Sequence, residues 1–316
     1  MVGSASFGVS SPFDIASVDF NNKVVPCSLF IVECINHFTS NNQQYFTHAS
    51  VNVISNFYRG NMRREYKGNL MQVSLVHMQI SGSPEENLKT AEQMLYRAAN
   101  SGSEFVCLPE YFAFPANLED NMQIEKLAEE VYEPAVQLLR RVSREVDAYI
   151  VGGTVFEKFR GNYYNTCLFL RHGEILGKFR KMHRTIWEKK VGLHVGSTFR
   201  VFETEFCTVG ILICADVFYP RTVRKLASLG AEVIFLPVSA SRTHPPVKGH
   251  PLTMKRAEEH KVFILKNGNT RSNSRGGNSA IISPWGIINQ AKNEMQTKII
   301  SADLDMTKLR KLRASA

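Results

Sequence analysis

The sequence predicts an α/β protein in which a mixed sheet is covered by helices. Three observations carry that reading. Short, wholly apolar runs such as Phe105-Val106-Cys107-Leu108 and Val209-Gly210-Ile211-Leu212-Ile213 have the composition of strands buried on both faces. Stretches with apolar residues at helical spacing alternate with these runs. His172-Gly173, between two apolar runs, marks an antiparallel hairpin.

The elements follow in order. Residues 1–70 are rich in Ser and Asn and show no sustained period, so they read as an N-terminal extension of unknown role ahead of a domain over 71–316. Met71 to His77 is the first clear strand pattern, and Met71 is a candidate translation start. Ser83-Pro84-Glu85-Glu86 is a helix start: Ser83 can cap, Pro84 suits the first turn, and Glu86 stands three residues after the cap. Leu88, Ala91, Leu95 and Ala98 continue at helical spacing until Asn100-Ser101-Gly102. A strand is expected at Phe105–Leu108, a helix over Leu138–Val146 and a strand at Tyr149–Gly152. Cys167–Leu170 and Ile175–Phe179 form the hairpin. Val209–Ile213 is a buried strand, followed by a helix from Arg221 to Leu229 that Gly230 closes. Strands at Val233–Leu236, Val262–Leu265, Ala280–Ile282, Gly286–Ile288 and Ile299–Leu304 complete the pattern.

Composition bounds the function. The chain has 316 residues, 44% of them hydrophobic and 21% charged, which is the balance of a folded protein with a large core. The formal net charge of +9 is scattered among acidic residues rather than gathered on a tail, which argues against nucleic acid as the partner. Its long-range field suits an anionic small molecule instead. The six cysteines include no C-x-x-C pair, so neither a zinc ribbon nor a thioredoxin-like site is expected, and a reducing, cytoplasmic setting fits. The apolar stretch Val24–Ile35 contains Pro26 and Glu33 and is well short of the ~20 residues of a membrane helix. It also lacks the flanks of a signal peptide, so no targeting segment and no membrane partner are expected.

Three polar residues stand where apolar strands end, the place where α/β sheets collect their ligands. Glu110 follows Phe105–Leu108 across Pro109, which stops the strand; most such carboxylates are solvated loop residues. Lys181 alternates onto the face of Phe179, away from Lys178, Arg180 and Met182. A basic edge strand is the plainer account of that run. Cys214 sits between an apolar strand and the helix from Arg221, a turn that presents a nucleophile to a pocket and aims the backbone amide of Ala215 at an oxyanion. Buried structural thiols are the commoner fate, and Cys107, Cys167 and Cys207 fit it. Together the three residues supply what thiol chemistry requires: a nucleophile, a base to take its proton, and a cation for the oxyanion.

At these residues the chain resembles the nitrilase superfamily of carbon–nitrogen hydrolases. Leu-Pro-Glu at 108–110, Phe-Arg-Lys-Met-His at 179–183 and Ile-Cys-Ala-Asp at 213–216 match its motifs in order. Trp187-Glu188-Lys189 and Gly196 resemble the segment with a second, supporting glutamate, Glu188. Pro220, Arg224 and the run Gly277–Gly286 also match, and the similarity spans Met71 to about Leu304. Arg221 departs from the family's usual glutamate. The resemblance implies a four-layer α-β-β-α sandwich of mixed sheets. It also implies a Glu110-Lys181-Cys214 triad working without metal or organic cofactor, and a homodimer or larger homo-oligomer. The implied reaction is hydrolysis of a non-peptide C–N bond through a cysteine thioester, with an amide or N-carbamoyl amine favoured over a nitrile.

Two alternatives stay open at this level. A papain-like thiol hydrolase would draw its base from His183, His194, His244, His250 or His260, none in a papain-type context. A non-catalytic binding protein on the same scaffold, nucleic-acid binding through its charge, is the other. Phe112, Phe114, Trp187, Phe218, Tyr219 and Arg242 are candidate pocket residues.

Overall fold

The computed structural model describes residues 70–120, 123–239, 250–271, 278–291 and 295–315, with two short strands, Ser17–Val18 and Val24–Val25, that pair antiparallel. Residues 1–65 and 66–316 are separate units. Apart from those two strands and Leu70, which opens the first strand of the second unit, the proposed extension 1–70 lies outside the described residues.

The second unit is built on strand β1 (Leu70–Ile80). It pairs in parallel with β2 (Phe105–Cys107), which pairs in parallel with β3 (Tyr149–Val151). Two long antiparallel strands follow, β5 (Asn162–Arg171) and β6 (Glu174–Arg180), with β4 (Val155–Phe159) on the other side of β5. The other edge of β1 carries β14 (Lys298–Asp305), antiparallel, and β11 (Asn269–Arg271), parallel, which completes an eight-stranded sheet. A six-stranded sheet runs β13 (Gly286–Gln290), β12 (Ala280–Ser283), β10 (Phe263–Asn267), β9 (Val233–Pro237), β8 (Thr208–Ile211) and β7 (Val201–Glu203). Its three central strands, β8, β9 and β10, are parallel.

Period-two alternation decides which layer each strand residue enters. Val73, Leu75, Phe105 and Cys107 point at the second sheet and share one core with Val209, Ile211 and Phe235. Val76, Met78, Val106 and Leu108 point the other way, onto α1 (Pro84–Asn100) and α2 (Ile124–Glu145). Phe105 meets Phe235 at 5.7 Å between ring centroids, and Phe169 meets Phe202 at 5.0 Å, so the sheets stack face to face through aromatic pairs. Val223 and Leu226 of α4 (Pro220–Ser228) and Ala257 of α5 (Pro251–His260) cover the second sheet. The result is the four-layer α-β-β-α sandwich expected.

Local chemistry explains most element ends. The Ser83 hydroxyl accepts from the Glu86 N–H at 3.4 Å, and Glu85 and Glu86 occupy the positive end of α1. The expected helix over Leu138–Val146 is only the last part of α2, which starts at Ile124 and ends at Glu145. Its start is hidden because Gln123 makes no side-chain cap and Pro134 interrupts the pattern. Pro134 is tolerated on the exposed side, while Leu127, Val131, Leu138 and Val142 bury a continuous stripe. Strands β4, β7 and β11, helix α5 and the C-terminal α6 (Met306–Ala314) were not expected from the sequence.

Candidate active site

Both sheets open toward the site at the carboxyl ends of parallel strands. Glu110 follows β2, and Gly153, at φ +59°, lets the chain after β3 pass against it. A Cβ on Gly153 would stand 2.3 Å from the Pro109 carbonyl oxygen, so any side chain there would displace the Glu110 loop. Lys181 follows β6; its carbonyl accepts from the Gly196 N–H at 2.8 Å. A Cβ on Gly196 would stand 2.2 Å from the Arg180 carbonyl oxygen. Cys214 follows β8 with φ +44°, and Tyr111, next to Glu110, has φ +57°. Left-handed backbone at non-glycine residues is costly and gathers at functional sites.

These three loops bring Glu110, Lys181 and Cys214 into one electrostatic cluster. The Lys181 ammonium donates to the Glu110 carboxylate at 2.9 Å and lies 2.9 Å from the Glu188 carboxylate. Lys181, Glu110 and Glu188 are all at most 2% exposed. Glu188 is fixed by the capping box of α3 (Ile186–Lys190): its carboxylate accepts from the Thr185 N–H at 2.7 Å, and the Thr185 hydroxyl accepts from the Glu188 N–H at 3.2 Å. The Tyr111 hydroxyl donates to Glu188 at 2.5 Å. Asn165 of β5 directs its amide N–H groups to Glu110 at 2.8 Å, to Glu188 at 2.9 Å and to the Tyr111 oxygen at 2.7 Å. The second Glu110 oxygen accepts from the Ser239 N–H at 2.8 Å, and Asn269 donates to the Glu110 carbonyl at 2.8 Å.

Charge is distributed unequally in this dry cluster. Two carboxylates share one ammonium. Burial pushes the Glu110 carboxyl above the ordinary glutamate value, with Glu188 repelling its anion and Lys181 opposing the rise. Burial also acts on Glu188, but Lys181, Tyr111 and the Thr185 amide outweigh it and hold that carboxyl low. Burial by itself would lower Lys181; Glu110 and Glu188 reverse the sign and hold it well above its ordinary value. Of the two carboxylates, Glu188 holds its negative charge the more firmly and Glu110 the less. Cys214 is raised by burial and by Glu110, with Lys181 opposing, so it rests as the thiol.

The other expected residues fall in different places. Ala215 follows Cys214 in a short 3-10 turn and is buried. Phe112, Phe114 and Trp187 are packed in the core between the first sheet and its helices; this corrects their expected role as pocket lining. Their alternation with loop residues hid that burial. Phe218 and Tyr219 are exposed, and Arg242 lies outside the described residues. Among the histidines, His183 gives Nδ1 to Asp216 at 2.8 Å, and His244 lies outside the described residues. Cys107, Cys167 and Cys207 are buried free thiols. Asn165, Tyr111, Ser239 and Asn269 were missed, and none stands in a motif whose spacing announces it; Asp216 lies in the Ile-Cys-Ala-Asp motif, but the sequence assigned it no role. Among the described residues no group of three or more His, Cys, Asp or Glu side chains is placed to hold a metal, and no helix is long and apolar enough to cross a membrane.

A four-layer sandwich with a thiol, a paired ammonium and a buried carboxylate at its strand ends defines a class of thiol-dependent hydrolases acting on C–N bonds. The chain belongs to the carbon–nitrogen hydrolase family, whose profile it matches over residues 72–314. It is 30% identical to the omega-amidase NIT2 of Xenopus tropicalis and 28% identical to that of Homo sapiens, each over 77% of this chain and 91% of the relative. The crystal structure of Saccharomyces cerevisiae Nit3, a member of branch 10 of the nitrilase superfamily, superposes with a TM-score of 0.69 at 27% identity, covering 78% of this chain and 94% of that one. The chain is thus a nitrilase-superfamily enzyme that hydrolyses carbon–nitrogen bonds.

Proposed function

We propose that this enzyme hydrolyses carboxamides through a thioester on Cys214, with Glu110 as general base, Lys181 as oxyanion stabiliser and Glu188 as the fixed anion that keeps Lys181 charged. The observation that carries the reading is the position of the Lys181 ammonium, 2.9 Å from both Glu110 and Glu188 in a buried cluster that includes Cys214. Glu110 takes the thiol proton as Cys214 attacks the carbonyl carbon. The oxygen becomes an anion, held by Lys181 and the Ala215 N–H. The C–N bond breaks, and Glu110 returns the proton to the departing ammonia or amine. Glu110 then takes a proton from water as its oxygen attacks the thioester; the carboxylic acid leaves and the thiol is regenerated.

Amides are favoured over N-carbamoyl amines and nitriles because the relatives at 28–30% identity are omega-amidases. The free buried thiols support a reducing, cytoplasmic setting. Exposed Phe218 and Tyr219, just before α4, support self-association into a homodimer or larger assembly, which sedimentation would measure. We read residues 71–316 as the hydrolase domain and 1–70 as an extension outside the chemistry. The deciding experiment offers carboxamides, N-carbamoyl amines and nitriles in parallel, follows ammonia and amine release, and weighs the intact protein for an acyl adduct. Adduct on Cys214 with carboxamides is expected; turnover without any adduct on Cys214 would refute the mechanism.

A further inference from the structure

Asn165 stands in the buried cluster and carries no charge. It lies on β5 opposite Phe156 of β4, and its backbone carbonyl accepts from the Lys181 N–H at 2.9 Å. Its side-chain nitrogen is 2.8 Å from Oε1 of Glu110, 2.9 Å from Oε1 of Glu188 and 2.7 Å from the Tyr111 oxygen. A carboxamide nitrogen has two hydrogens and accepts nothing, so these three acceptors compete for two donors. The reverse orientation would set the amide oxygen against two carboxylates. In the observed one, the Asn165 oxygen has no partner among the described residues. A buried acceptor left unpaired is costly, so donation to the carboxylates is what holds this side chain.

The two oxygens of Glu110 differ as a result. Oε1 accepts from the Lys181 ammonium at 2.9 Å and from Asn165. Among the described residues Oε2 accepts from one donor, the Ser239 N–H at 2.8 Å. A carboxylate oxygen offers about two lone-pair sites, so Oε1 is filled and Oε2 keeps one open. Ser239 also marks where Oε2 faces. Burial and Glu110 raise the Cys214 thiol, and the Ser239 N–H, which bonds to the sulfur, is among the groups that oppose the rise. One backbone N–H is thus shared between Oε2 and the Cys214 sulfur.

We propose that Asn165 is a positioning residue that, with Lys181, closes Oε1 of Glu110 and directs the proton of the Cys214 thiol onto Oε2. This deepens the triad reading above and rests on it. As the S–H bond breaks, the sulfur keeps the electron pair and uses it to form the bond to the carbonyl carbon. The proton forms an O–H bond at Oε2, where the open lone pair receives it without displacing a donor. Asn165 and Tyr111 meanwhile stay on Glu188, the neighbouring anion. A side chain without donors at position 165 would leave Oε1 able to hold the proton too, beside the Lys181 ammonium.

The test follows acylation by p-nitrophenyl acetate, an activated ester that reports on the thiol whatever amide the enzyme prefers. Rates are taken from about pH 4 to 9, and peptide mass locates the adduct on Cys214. In Asn165→Leu the plateau rate should fall about tenfold or more with little change in half-saturation, the mark of lost alignment rather than lost binding. The acid limb should also move to higher pH. Burial raises the Glu110 carboxyl, and the Asn165 bond is one of the contacts that hold the rise back. A side chain that only supports packing would lower the plateau and leave the limb in place. Asn165→Ser, without apolar bulk, carries the same expectation if Asn165→Leu does not fold. Unchanged rates, or a lower plateau with a stationary limb, overturn the proposal.

Glu110→Gln separates this failure from that of the triad. In its background, Asn165→Leu should change acylation by no more than about twofold, since the proton it directs has lost its acceptor. If Glu110→Gln keeps the acid limb, the triad reading falls and the proposal with it. If Glu110→Gln abolishes the limb while Asn165→Leu leaves it in place, the triad stands and Asn165 has no part in directing the proton.

Discussion

The carboxylate of Asp216, two residues past the cysteine, accepts the backbone N–H of His183, two residues past the lysine, at 2.8 Å. The same oxygen accepts from the Met182 N–H at 3.2 Å, and its partner oxygen accepts from the Ile213 N–H at 3.1 Å. One fully buried side chain thus clamps the loops that carry Lys181 and Cys214. The His183 ring, bonded through Nδ1 to Asp216 and stacked on Tyr219 at 3.6 Å, completes the clamp and is occupied in it. This gives His183 a structural account that a papain-like reading lacks.

Asp216→Asn should therefore impair the enzyme without touching substrate. The amide presents an N–H group toward backbone donors that now find an oxygen, leaving buried donors unpaired at about 1–3 kcal/mol. Urea unfolding should show a loss of that order, and kcat should fall at least ~10-fold as the geometry loosens. Parent-like values of both would remove the clamp from the mechanism.

Glu110→Gln and Lys181→Met should each slow acylation by about 100-fold or more, the scale of losing a general base or an oxyanion donor. Single-turnover mass spectrometry separates this from slow deacylation. Acylation at the parent rate in either variant would dismiss that residue from its role.

The raised Glu110 carboxyl sets a pH dependence. As the proposed base it must be ionised, so kcat/KM should climb with pH through an apparent pKa above the ordinary 4.5, and this limb should vanish in Glu110→Gln. Linkage has a definite sign. A carboxyl raised in the folded state contributes stability below its unfolded pKa and loses it as pH rises through the folded value. Glu110→Gln removes that loss, so its melting temperature relative to the parent should improve from pH 4.5 upward. A relative decline over that range would reverse the assigned direction.

The sequence exposes what local rules govern. Ser83 and Pro84 announce α1 because a cap is read within one turn, and Lys181 is placed on the face of buried Phe179 by alternation alone. Glu188 was visible only through its family motif. Asn165 is invisible because it acts by reaching Glu110, Tyr111 and Glu188 across the fold, contacts that no local period encodes. Phe112 and Phe114 misled for the opposite reason, since aromatics beside a reactive residue suit a pocket as well as a core.

Cys214→Ala should abolish turnover while the protein still unfolds cooperatively, and Cys107→Ala should keep its turnover. Cys107 is fully buried in β2, where its thiol donates to the Leu108 carbonyl at 3.3 Å and burial keeps it protonated. Its loss leaves a small cavity and no missing chemistry. Turnover that survives Cys214→Ala, or disappears with Cys107→Ala in a folded protein, would transfer the nucleophile's role.

The last prediction concerns the chain before the hydrolase domain. Among the described residues, every register partner of β1 lies in β2, β11 and β14, between Phe105 and Asp305. The first residue of β1, Leu70, is itself paired with Asp305. The central strand therefore receives its hydrogen bonds from within residues 66–316, and the family profile begins at residue 72. A protein shortened to residues 66–316 should stay folded and keep kcat within about twofold, as expected when no transition-state contact is removed. Circular dichroism melting and amide turnover measured side by side on the short and full chains would check this. A folded short form with kcat reduced tenfold would show that residues 1–65 contribute to the site. A short form that fails to fold would show that the sandwich needs residues 1–65 to cover part of its core.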